Sequence, residues 1–148
     1  MIYGPSYISL DYALHYYGMI PERVEAVTSV TCSRGRRFST PVGLFIYRGI
    51  SMNAYQIGID QVVLDGGTFL IAVPEKALSD KIHDDRGTAV RTHTEMRAYL
   101  LDNLRIDPER LEKLNTDMLS LIADRYRSRK IRLLSDLLRK LGGRKENE

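Results

Sequence analysis

The chain has 148 residues, 43% of them hydrophobic and 28% charged, with a net charge of +3. That balance fits one domain with a real core and makes disorder a poor reading for most of the chain. No apolar run is long enough to span a bilayer, the start "MIYGPSYISL" lacks the basic and apolar regions of a secretory signal, and a lone cysteine, Cys32, cannot form an internal disulfide. A cytoplasmic protein with no membrane partner is therefore expected.

In chain order, "GPSYISLDYALHYYGMIPE" predicts an N-terminal helix. Ser6 or Ser9 caps its start, Leu10, Ala13, Leu14 and Tyr17 recur at helical spacing, Gly18 suits the left-handed position after the last turn, and Pro21 blocks continuation. The β-branched run "VEAVTSVT" predicts a strand, "CSRGRR" a turn in which Gly35 takes positive φ, and "FSTPVGLFIYRGI" further extended chain. Pro41 and Gly43 interrupt that stretch, which predicts a second bend and a short strand at Leu44 to Tyr47. "YQIGIDQVVLDGGTFLIAV" reads as a hairpin turning at Asp65-Gly66-Gly67.

After Val73 the pattern becomes helical. Pro74 and Glu75 suit a first turn, with Ala77, Leu78 and Ile82 on one apolar face. "RTHTEMRAYLLDNL", "DPERLEKLN" with an Asp107 cap, "TDMLSLIADRYRS" and "SRKIRLLSDLLRKLGG" complete the helices, the last closing at Gly142. The expected architecture is α+β: an N-terminal helix, an antiparallel sheet of about four or five strands, and a helical C-terminal half. It forms a single domain over 1–148, with the helix and sheet core in 1–82, a helical part in 83–142 and a frayed tail in 143–148.

Charge is unevenly placed. Leu121 to Glu148 holds nine basic and four acidic residues, whereas Gly49 to Met96 holds seven acidic and four basic ones. Arg34, Arg36, Arg37 and Arg48 could contact phosphate without reading sequence, and a continuous helix would stack Arg125, Arg129 and Arg132 on one face. These seven arginines are the candidate nucleic-acid-binding residues, for DNA or RNA; solvated turns and helix surfaces explain them as readily.

Catalytic patterns are weak. His15, His83 and His93 match no common zinc spacing, and His83-Asp84-Asp85 reads as well as an exposed helix end. Cys32 lies near Arg34 and Arg36 but reads best as a half-buried small hydrophobe. Asp65, Glu75 and Lys76 resemble the carboxylates and lysine of metal-dependent nucleases, yet Glu75 and Lys76 are adjacent and open a helix. No catalytic residue, metal or cofactor is assigned, and a non-enzymatic protein is expected.

Three blocks, "YGPSYISLDYALHYYGMIPE", "VTSVTCSRGRRFSTPVGLFIYRGI" and "AVPEKALSDKI", together resemble the AbiEi-type antitoxin family, transcriptional regulators of type IV toxin–antitoxin and abortive-infection systems in prokaryotes. The resemblance runs from about Ile2 to Ile82 and matches the family's C-terminal domain, without the N-terminal winged helix-turn-helix that reads operator DNA. It implies an antitoxin or regulatory role, with a nucleotidyltransferase-like toxin as functional partner and no stable complex required. The alternatives are a nucleic-acid-binding module using the basic loop and C-terminal helices, or a diverged metal-dependent nuclease.

Overall fold

A computed structural model describes residues 5–64, 66–87 and 89–146. It combines a six-stranded mixed sheet with seven α-helices, so the α+β class holds. The strands are β1 (Ser6–Ile8), β2 (Val27–Thr31), β3 (Arg36–Thr40), β4 (Gly43–Gly49), β5 (Ile59–Leu64) and β6 (Gly67–Ala72), in the order β3-β4-β2-β1-β6-β5. Three neighbouring pairs are antiparallel, while β1–β6 and β2–β4 run parallel.

The sheet exceeds the expected four or five antiparallel strands for identifiable reasons. Ser6–Ile8 forms the three-residue β1 instead of the front of a helix, and helix α1 occupies only Leu10–Tyr16. Ser9 sits at its N-cap position, but its hydroxyl makes no cap bond. Cys32–Gly35 does not turn a hairpin, because β4 inserts between β2 and β3. Gly35 is absent from the positive-φ positions; it is needed because a Cβ there would lie 2.9 Å from the Tyr47 carbonyl oxygen. The tight hairpin falls instead at Pro41-Val42, where Thr40 pairs with Gly43 and its hydroxyl donates to the Gly43 carbonyl at 2.8 Å. The strand that follows runs over Gly43–Gly49, longer than the segment expected at 44–47.

The β5–β6 hairpin forms as expected, with Gly66 at φ +78°; Asp65 lies outside the described residues. Gly18 also takes the left-handed conformation, at φ +69°, where it ends α1.

The remaining helices are α2 (Met52–Tyr55), α3 (Pro74–Asp84), α4 (His93–Ala98), α5 (Pro108–Glu112), α6 (Thr116–Tyr126) and α7 (Arg129–Glu146), with a π-helical turn at Tyr99–Asn103. Their starts follow local chemistry. Pro74 opens α3, the Thr92 hydroxyl accepts from the Glu95 N–H at the start of α4 and donates to the Glu95 carboxylate, and Asp107 and Asn115 accept from the first turns of α5 and α6. Arg127 takes a left-handed conformation at φ +53° and ends α6, and Ser128 then caps α7 by accepting from the Ile131 N–H at 3.1 Å. Helix α7 continues to Glu146, past the stop expected at Gly142. Gly142 and Gly143 each cost a helix about 1 kcal/mol, and Ile131, Leu134, Leu137 and Leu138 anchor the preceding turns in the core.

That core joins Val30 and Ile71 of the sheet to Leu14, Leu78, Ile82, Leu100, Leu119 and Ile122 of the helices. Burying each such side chain contributes about 1.5–3 kcal/mol. No helix among the described residues is long and apolar enough to cross a membrane.

Candidate functional site

The densest polar chemistry lies inside the protein. Tyr7 and Ser9 are two apart on extended backbone and therefore leave it on the same side. Lys76 and Asp80, four apart on α3, stack along one face of that helix. Asp80 accepts from the Tyr7 hydroxyl at 2.9 Å, the Ser9 hydroxyl at 2.7 Å, the Lys76 ammonium at 3.0 Å and the hydroxyl of Tyr126, the last residue of α6. The Lys76 ammonium also donates to the Tyr7 hydroxyl and lies 4.8 Å from the Tyr7 ring centre and 5.4 Å from that of Tyr126. Thr28 of β2 adds a further tie, donating to the Ser9 carbonyl at 2.6 Å and accepting from the Tyr12 N–H at 3.0 Å.

The side chains of both Lys76 and Asp80 are 0% exposed. Burial pulls the Lys76 ammonium below its ordinary pKa, while the Asp80 charge opposes that shift. Burial, followed by the Asp80 charge, pushes the Tyr7 and Tyr126 hydroxyls far above their ordinary value. The tyrosines therefore stay protonated and donate to the carboxylate. No buried side-chain polar atom among the described residues lacks a partner. A satisfied cluster of this kind joins β1, α3 and α6 and holds the Lys76 and Asp80 side chains out of solvent, while Tyr126 is half-buried. Gly58 seals it from the side, since a Cβ there would come within 2.7 Å of the Lys76 Cβ.

The arginines singled out from sequence lie on the surface. Arg34 is exposed in the β2–β3 connection, and Arg36 and Arg37, adjacent on the edge strand β3, point to opposite faces of the sheet. Arg48 on β4 reaches Asp84, at the C-terminal end of α3, at 3.6 Å. Lys130 meets the same end, donating to the Asp85 carbonyl at 2.8 Å and the Ile82 carbonyl at 3.3 Å. The fold thus brings the start of α7, with exposed Arg129, to the helix end that Arg48 touches. It does not stack Arg125, Arg129 and Arg132, because the left-handed Arg127 separates the two helices. Arg125 donates to the Asn53 carbonyl at 3.4 Å, and Arg132 pairs with Asp124 and donates to the Ser120 hydroxyl at 2.8 Å.

Of the nuclease-like group, Glu75 and Lys76 turn apart. Glu75 accepts from the Asn115 N–H at 2.8 Å, whereas Lys76 turns into the core, and Asp65 lies outside the described residues. Cys32 is half-buried. No group of three or more potential ligands among the described residues is placed to hold a metal ion.

Sequence reasoning missed the Lys76–Asp80 cluster. A lysine and an aspartate four apart ordinarily mark an exposed helix face. The available signal was Ala77, Leu78, Ser79 and Ile82 around them, too apolar and small for a solvated helix, and all of them are buried. Searches of known protein families, curated proteins and solved structures found no match to this chain.

Proposed function

We propose that this chain is a non-enzymatic antitoxin or regulatory domain of the AbiEi type, acting in the cytoplasm to oppose a nucleotidyltransferase-like toxin. One observation carries the reading: the three sequence blocks that resemble the family converge on one structural feature. Tyr7 and Ser9 come from the first block, Thr28 from the second, and Lys76 and Asp80 from the third. The blocks therefore share a physical reason to occur together, as parts of one buried scaffold. Full burial of the lysine and carboxylate argues against their use on a substrate and against the nuclease alternative. The test is co-expression with the nucleotidyltransferase-like toxin of the same operon. Growth should recover, and arrest that persists at confirmed expression refutes the antitoxin reading.

A second reading, contact with a nucleic-acid backbone, is favoured by the approach of Arg48, Arg129 and Lys130 to one end of α3, with Arg34 in the adjoining β2–β3 connection and Arg36 and Arg37 at the start of β3. Replacing Arg36 and Arg37 by alanine should weaken binding to duplex DNA or tRNA and flatten its salt dependence by roughly one to two units of slope. Unchanged affinity in that double variant removes the loop from the account.

A further inference from the structure

A cavity of about 560 Å³ opens between the π-helical turn, α5 and α7. Its walls are leucines: Leu100 and Leu101 from the π turn, Leu111 and Leu114 from α5 and the residues after it, and Leu138 and Leu141 from α7. The exposed cations Arg97 and Lys113 stand in the lining. A smaller neighbouring cavity shares Arg97 and Leu141 and adds His93 and Lys140. Glu112 is the one acid among the described lining residues of the two.

We infer that this cavity binds a small amphipathic anion, an aliphatic or aromatic chain ending in a carboxylate or similar group. Three features support that chemistry. The volume lies within the range of about 300–1,000 Å³ that takes small organic ligands, and its lining combines apolar walls with a few polar groups. Arg97 and Lys113 make no ion pair among the described residues, so their charges are available to an incoming anion, and a guanidinium matches a carboxylate in a two-bond fork. The wall is partly built from a π-helical turn, an irregularity that occurs often at functional sites, which contributes buried Leu100 and half-buried Leu101 to the lining. An apolar tail would lie against the leucines while its head group meets Arg97 and Lys113.

The experiment titrates the full chain with decanoate below its micellar concentration and, in parallel, with decanol, by calorimetry and by thermal shift. Decanoate should bind saturably at one site and about tenfold more tightly than decanol. Because Arg97 and Lys113 are exposed, the Arg97→Gln/Lys113→Gln variant should fold normally and lose that preference while still binding decanol. Leu101→Trp, a change at a half-buried wall position, should abolish binding of both. No saturable decanoate binding, equal affinity for the two probes, a preference that survives loss of both charges, or binding that survives Leu101→Trp each overturns the inference.

Discussion

Replacing Asp80 by alanine should destabilise the protein strongly. The substitution removes the counter-charge of a fully buried lysine and the common acceptor of the Tyr7, Ser9 and Tyr126 hydroxyls. Breaking a buried pair from one side costs about 3–5 kcal/mol, because the remaining charge is left in a medium that solvates it poorly. Each hydroxyl that finds no new acceptor adds about 1–3 kcal/mol. Some of this is recovered when Lys76 gives up its proton, which its lowered pKa favours. If deprotonation of Lys76 and new acceptors for the hydroxyls offset the hydroxyl terms, a loss of about 3–5 kcal/mol remains, against a total of about 5–15 kcal/mol for an ordinary domain. The double variant Lys76→Met/Asp80→Asn removes both charges and keeps a carbonyl acceptor for the hydroxyls, so it should stay within about 2 kcal/mol of the parent. Urea unfolding followed by far-ultraviolet circular dichroism measures both. A loss under about 1 kcal/mol for Asp80→Ala, or an equal loss in the double variant, refutes the assignment of this cluster as a buried ionic scaffold.

Gly58→Ala should cost about 2–4 kcal/mol in the same assay, since φ is +78° there and the new methyl group meets the Lys76 stem; a neutral result contradicts that packing. Stability should fall as pH rises above about 10. Tyr17 is pushed up to about 12, and Tyr7, Tyr99 and Tyr126 rise further, mainly through burial, so the unfolded chain loses these protons first. Lys76 has the opposite sign, because burial lowers its pKa in the folded chain, but it is one group against five, since burial raises Tyr55 as well. An unfolding midpoint in urea that stays constant between pH 9 and 11 contradicts this balance. At the acid end, burial followed by the Arg86 charge holds His83 below its ordinary value of 6.5. The unfolded chain therefore binds the proton first as pH falls below about 6.5, and stability drops there. His83→Gln should flatten that limb of the pH profile, and an unaltered slope rules out His83 as its source.

Local chemistry made much of the fold legible. Pro74, the Asp107-Pro108 pair and Gly18 mark helix ends through φ preference, capping and the left-handed position, and each does so in the structure. Strand β1 was hidden because three residues carry no measurable period, and serine and tyrosine suit a helix start as well as a strand. The parallel contacts β1–β6 and β2–β4 join segments far apart in sequence, so no local pattern marks them. Gly35 was rightly singled out for a different reason, since the constraint is the approach of the Tyr47 carbonyl and not positive φ. The surface arginines were easily noticed, whereas Lys76 and Asp80 were not placed together because helix spacing does not tell a buried face from an exposed one. Tyr7 and Tyr126, 69 and 46 residues from Lys76 and Asp80 respectively, decide that question.

The most direct measurement of the central claim is growth of cells that express the nucleotidyltransferase-like toxin together with either the parent chain or the Lys76→Met/Asp80→Asn variant. If the three blocks form a scaffold for antitoxin action, both chains restore growth, and Asp80→Ala fails in proportion to its loss of folded protein. Persistent arrest with the parent chain contradicts the antitoxin reading. Rescue by the parent but not by a folded double variant shows that the lysine and carboxylate act directly, and contradicts their assignment as scaffold.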